Sequence, residues 1–329
     1  GWRSASDCQK SRRIPVRVFA LLFVLVFSAV NAQTFPGKTV RLVSGVTPGS
    51  ASDTMARVVA EKMSASLGVP VIVENRLGAG GVVAAKYVAS AEPDGHLVMI
   101  YTSAFTVAPL LNPGTIDPKE LTAVATLGTV PTVLIVNPSK GYKSVADLVA
   151  AAKAKPGQLV ASNAGIGSST HMNLERFRLA AGIEFLSVPT KGNAEAITEV
   201  ITGRADAYFS PVFSVIAHVK EGRVQALAVG SPKRTPLFPD LPTTVEAGYP
   251  NSDYNFWIGA LVASKTPRET VQRLHREFNA ALAQPDVQDR MKKLGVDPLT
   301  LSVAEFEAMV NKELEDNARL IKAAGITPG

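Results

Sequence analysis

Three short stretches concentrate residue types that can hold or activate an oxygen: TPGSASD (47–53), SNAGIGSSTH (162–171) and VPTKGN (188–193). Each mixes glycine with hydroxyl side chains, and each falls where an apolar run gives way to helical spacing. The first turn of a helix exposes N–H groups that have no intrahelical partner and carries a partial positive charge. Such a junction holds an anion without an arginine. Glycine admits a bound group close to the backbone, and Ser or Thr adds donors. Three such loops brought together would form a seat for a carboxylate. The same residues also serve as turn and cap formers in any strand-to-helix loop, so one loop alone decides nothing. Asp53 has two roles open to it, helix cap or ligand contact, and Lys191 is either a ligand group or an exposed turn lysine.

A second chemistry is open at the middle stretch. Ser168 and His171, three residues apart at one helix start, could pair as nucleophile and base of a serine-type hydrolase completed by a distant aspartate. Taken alone, His171 reads as a structural histidine, and nothing marks Ser168 as activated. Other enzyme signatures are absent from the sequence. GIGSST (165–170) and GAGGVV (78–83) lack the third glycine and the acidic residue of a dinucleotide fingerprint. There is no P-loop, H-E-x-x-H or G-x-S-x-G. His96, His171, His218 and His275 are scattered without metal-ligand spacing. The expectation is binding without catalysis, cofactor or metal. Tyr101, Phe105, Phe209 and Trp257 are either stacking surfaces for a ligand or core aromatics.

The elements that must position these loops alternate between strand and helix. KTVRLVSGV (38–46), VPVIVEN (69–75) and LVMIYTS (97–103) read as strands, with helices opening at Asp53 and spanning 82–91 between them. A second set follows: TVLIVNP (132–138), helix 144–155, QLVASN (158–163), helix 169–181, EFLSVP (184–189), helix 194–202, DAYFSP (206–211), helix 212–221 and VQALAVG (224–230). A proline-rich stretch (231–244) breaks the rhythm before YNFWIGALVAS (254–264) and helices 267–283 and 302–324. This order predicts an α/β fold of two lobes, each a mostly parallel sheet flanked by helices, with ligands outside the carboxyl ends of the strands. The expected boundaries are 33–132 plus 255–329 for one lobe and 133–254 for the other, with crossings near Pro131 and Trp257. Periodicity alone also allows one doubly wound domain.

Composition narrows the class. The 329 residues are 46% hydrophobic, ample for two cores. The net charge of +6 is concentrated at the start: five of the 34 basic side chains and one of the 28 acidic ones lie in the first 32 residues, leaving 29 against 27. A nearly neutral body excludes a nucleic-acid partner. The basic segment ending at Arg17, the apolar run VFALLFVLVFSAV (18–30) and the small residues of V-N-A read as a secretory signal peptide over 1–32, cleaved before Gln33. The sole cysteine, Cys8, falls inside it, which removes disulfides and thiolate chemistry from the exported chain.

At FPGKTVRLV (35–43), PGSASDTMAR (48–57), VIVENRLGAGG (72–81), EPDGHLVM (92–99), VPTVLIVNP (130–138), SNAGIGSSTHMNLE (162–175), VPTKGNAEAITEVITGRAD (188–206), LPTTVEAGYP (241–250) and LGVDP (294–298), the chain resembles the tripartite tricarboxylate transporter substrate-binding family, the Bug-type receptors. The resemblance implies a type II-like clamshell in the periplasm, a monomer that captures a small carboxylate or related polar solute between its lobes. Delivery would be to a two-subunit membrane carrier, or the loaded receptor would feed a sensor kinase. Carried over by position, it implies ligand contact at Thr47, Pro48, Gly49, Ser50 and Asp53, at Thr102 and Ser103, and at Ser162, Gly165, Gly167, Ser168, Lys191 and Gly192. The chain departs from the family in its first loop, where V-P-F-A-x-G-G is replaced by Ser44 to Ser50, with the aromatic lost. Thr190 stands where a tyrosine is usual, and Ser210 where an aspartate is common. These departures reshape the pocket floor, so no known ligand transfers.

Overall fold

The structure, a computed structural model, describes Trp2 and residues 35–327. The expected signal peptide, its cleavage before Gln33 and Cys8 lie outside the described residues. Strands β1 (Val40–Ser44), β2 (Val71–Asn75), β3 (Leu97–Thr102), β4 (Leu121–Thr129) and β10 (Trp257–Ala263) form one sheet in the order β2-β1-β3-β10-β4. The other sheet, ordered β7-β6-β8-β5-β9, takes β5 (Thr132–Val136), β6 (Val160–Asn163), β7 (Leu186–Pro189), β8 (Ala207–Pro211) and β9 (Gln225–Val229). The two orders are the same arrangement used twice. In each sheet, four strands point one way and the fifth is antiparallel to both neighbours: β10 in the first sheet and β5 in the second. Each reversed strand is the one on which the chain arrives after passing from the other lobe.

Helices α1 (Ala51–Leu67), α2 (Val82–Ala89), α3 (Ala108–Leu111), α8 (Arg268–Leu282), α9 (Pro285–Leu294) and α10 (Val303–Ala324) accompany the first sheet. The second has α4 (Val145–Ala154), α5 (Ser169–Ala181), α6 (Asn193–Ile201) and α7 (Val212–Lys220). Because strand side chains alternate, one strand feeds two cores. Ile258, Ala260 and Val262 of β10 pack with Met55, Leu274 and Phe278, whereas Trp257 and Leu261 pack with Ala84, Tyr101 and Phe306. In β5, Leu134 and Val136 join Phe177, and Val133 and Ile135 join Ile197 and Val215. Strands buried on both faces read as continuous apolar runs, which is how both were visible in the sequence.

Three elements carried no such signal. β4 (LTAVATLGT) mixes threonine and glycine with its apolar residues. α3 is a single turn. In α9, only Val287 and Met291 are buried among ten residues, too few to set a period. No helix among the described residues is long and apolar enough to cross a membrane.

The chain passes between the lobes at 130–131 and 254–256, where Val130 N–H donates to Phe256 O at 2.7 Å and Tyr254 N–H to Gly230 O at 2.9 Å. Beside these crossings, Val107, Leu111 and Leu320 of the first lobe pack against Met172 of the second and against Tyr254.

Candidate functional site

The first loop begins where β1 ends. Ser50 caps α1, its Oγ accepting from Asp53 N–H at 3.3 Å. Asp53 is buried behind the loop, where its carboxylate takes Gly49 N–H at 3.0 Å, Arg57 Nε at 3.0 Å and Asn75 Nδ2 at 2.7 Å. Burial works to raise the Asp53 pKa, but hydrogen bonds from Arg57, Asn75 and Gly49 outweigh it and hold the carboxyl below its ordinary value. With Gly49 satisfied internally, the amides of Ala51 and Ser52 at the helix start have no protein partner among the described residues.

The second loop repeats this design at α5. Ser168 caps the helix by accepting from His171 N–H at 3.2 Å. His171 Nδ1 accepts from Gly167 N–H at 3.1 Å, so the ring ties down the glycine loop, as a structural histidine does. Its Nε2 lies 3.8 Å from Glu175 Oε1. Burial and the nearby Arg178 charge hold the imidazole pKa down to about 4, which keeps Nδ1 free to accept. Both ring nitrogens therefore face groups other than Ser168 Oγ. The amides of Ser169 and Thr170 are left open.

At the third loop, Gly192 caps α6 without a side-chain bond, and Glu195 accepts Lys191 N–H at 2.8 Å. Tyr208 Oη donates to Asn193 Oδ1 at 2.7 Å, which fixes the first residue of α6.

All three helix starts open onto one cleft of about 990 Å³ between the lobes. Thr47, Pro48, Gly49, Ser50, Thr102, Gly165, Gly167, Ser168, Lys191 and Gly192 line it. Asp53, Ser103 and Ser162 stand behind its walls. Ser162 Oγ donates to Ala196 O at 3.0 Å, tying β6 to α6, and Ser103 Oγ meets Ser169 Oγ at 2.9 Å, a buried hydrogen bond from lobe to lobe. Of the candidate stacking rings, Phe105, Phe209 and Trp257 are core, and Tyr101 borders the cleft but is almost wholly buried, its Oη donating to Gly80 O at 2.7 Å.

The sequence reading missed Leu77, Ile166, Asn193, Glu195, Phe213 and Phe256, which also line the cleft. Phe213 could have been found, since it sits just past the carboxyl end of β8. Leu77 and Phe256 carry no local signal; both belong to the first lobe, and only its tertiary packing brings them to the cleft.

A larger depression of about 1220 Å³ lies on the first lobe, bounded by Lys86, Pro93, Pro113 and Lys265. None of the three helix starts lines it.

Comparison with known proteins places this arrangement. The profile of the family described as "Tripartite tricarboxylate transporter family receptor" matches residues 55–326. A UPF0065 protein from the tcbD-tcbE intergenic region of Pseudomonas sp. (strain P51) is 34% identical over 287 residues, covering 85% of each chain. Among solved structures, an R. palustris protein with adipate is similar at a TM-score of 0.79 and 30% identity, covering 90% of this chain and 100% of that one. The periplasmic binding protein BugD is similar at 0.76 and 30%, with 90% and 100% covered.

Proposed function

The chain belongs to the tripartite tricarboxylate transporter receptor family, and from that premise we propose that its cleft captures a small carboxylate for delivery to a two-subunit membrane carrier. One observation carries this reading: helix starts from both lobes turn their unpartnered amides into the same cleft. An anion there meets the positive ends of α1, α5 and α6 and touches both lobes. A ligand that contacts both lobes binds the closed form better and shifts the population toward it. The lobes in this mechanism are 33–132 plus 255–329 and 133–254, and the working unit is a monomer in the periplasm, exported by cleavage before Gln33.

The cleft works without chemistry. A hydrolase needs His171 facing Ser168 Oγ, whereas Nδ1 is engaged by Gly167 and Nε2 points toward Glu175.

Calorimetry with carboxylates and their neutral amides tests the reading. Acids bind, amides do not, and Ser168→Ala weakens the acid by about 1.5–3 kcal/mol through loss of one donor to a charged group. Equal binding of acid and amide, or ester turnover abolished by Ser168→Ala, overturns it.

A further inference from the structure

The walls of the cleft are sharply uneven in character. Among the described residues lining it, the charged side chains are Lys191 and Glu195, both at the start of α6. Glu195 Oε2 accepts the backbone N–H of Lys191 at 2.8 Å, so a carboxylate is fixed at the same helix start as the one lysine. Thr102 and Asn112 apart, the rest of the side-chain lining is largely apolar. Val107 and Leu111 pack against the Gly167 loop, where a Cβ on Gly167 would stand 2.6 Å from Leu111 Cδ1. Phe213 and Phe256 add two rings.

The lips repeat the pattern in an unusual way. Leu77 from the first lobe and Ile166 from the second are large apolar side chains left 53% and 42% exposed, and both line the cleft. An exposed apolar side chain is unremarkable alone, but a pair on opposing lips is covered when the lobes close on a body that is itself apolar.

We infer that the cleft takes a monocarboxylate with an apolar carbon body, its one charge at the helix starts and its body between the apolar walls. This rests on the carboxylate reading above and narrows it. A second carboxylate placed among Leu77, Ile166, Phe213 and Phe256 would find no cation to replace its water. The lining thus selects by rejecting the second charge as much as by holding the first.

The test is calorimetry of the protein with hexanoate, octanoate, phenylacetate, adipate and octanamide. Hexanoate and phenylacetate bind at least tenfold more tightly than adipate. Affinity rises roughly three- to fourfold per added methylene from hexanoate toward octanoate, the step expected for burying a CH₂. Ile166→Lys, which places a cation on one lip, narrows the gap between adipate and hexanoate at least tenfold, and circular dichroism checks that its fold is kept. Adipate binding as well as hexanoate overturns this inference while leaving the carboxylate reading intact. Octanamide binding as well as octanoate overturns the carboxylate reading itself. No heat with any of the five overturns both.

Discussion

Asp53 and Gly167 show how little of a binding loop needs to touch what it binds. Asp53 faces away from the cleft and spends its carboxylate on Gly49, Arg57 and Asn75. Arg57 is 51% exposed, so the ion pair itself is worth little, and the buried bond to Gly49 matters more. Asp53→Asn is expected to cost about 1–2 kcal/mol in denaturant unfolding and to weaken ligand binding without altering the fold. Wild-type binding with a destabilised fold would make the residue a structural brace alone. Because the Asp53 pKa is lowered, its contribution is present above the ordinary Asp value and is lost as pH falls through the lower, folded value. Gly167 has φ +76°, and a Cβ there meets Leu111 across the lobes. Gly167→Ala is expected to cost about 1–2 kcal/mol in backbone strain and to lower ligand affinity roughly tenfold by displacing Leu111. Calorimetry reads this directly, and an unchanged affinity would mean Leu111 moves aside without opening the cleft.

Helix α10 carries the chain's main acid-base liability at the scale of an element. It lies against β10 and reaches across toward α5, and Glu313 on it accepts Trp257 Nε1 at 2.7 Å and Thr106 Oγ1 at 3.4 Å. Burial pushes the Glu313 pKa up to about 7; the Trp257 hydrogen bond, Arg176 and Thr106 oppose this, while Asp316 adds to it. The folded chain therefore holds a proton that the unfolded chain has released between the ordinary Glu value and about 7. The stability this contributes is fully present below the ordinary value and is lost as pH rises through the folded one. Glu313→Gln should remove that loss, standing about 1–3 kcal/mol above the wild-type chain at pH 8 relative to the difference at pH 4. Thermal unfolding across that range checks it, and parallel curves for the two proteins would place the titration elsewhere. His171 behaves oppositely: its pKa is lowered, so its contribution is present above the ordinary His value and fades as pH falls through about 4. Protonation of Nδ1 also releases Gly167 N–H, so acid loosens the second loop first.

For the molecule as a whole, the double use of one sheet order matters most. Each lobe has its own pair of cores, and the lobes meet at two crossings, a small apolar cluster, the Ser103–Ser169 bond, the Arg176–Asp316 pair and Phe213 set on the first-lobe core. With separate cores on either side of these contacts, the lobes can move as bodies. A bound carboxylate at about 100 times its dissociation constant is expected to add roughly 2.7 kcal/mol of stability, a rise of about 5 °C in Tm for a chain of this size. Small-angle X-ray scattering should show a smaller radius of gyration on binding. Stabilisation with no compaction would mean that the ligand sits on one lobe.

Much of this architecture was legible in the residues themselves. Strands such as β5 and β10, buried on both faces, announce themselves as apolar runs, and the expected helix 169–181 matches α5, which the folded chain caps with Ser168 and ends at Gly182. The helix-start loops were visible because glycine and hydroxyl residues at a strand-to-helix junction have a local physical cause. α1 was placed to begin at Asp53, yet it starts at Ala51, because either Ser50 or Asp53 can cap and only the folded loop shows Ser50 doing so. The turning of Asp53, Ser103 and Ser162 away from the cleft, and of Leu77, Ile166 and Phe256 into it, was decided by the packing of two lobes whose strands are distant in sequence. Local chemistry is written in neighbouring residues; a wall built from both halves of a chain exists only once those halves meet.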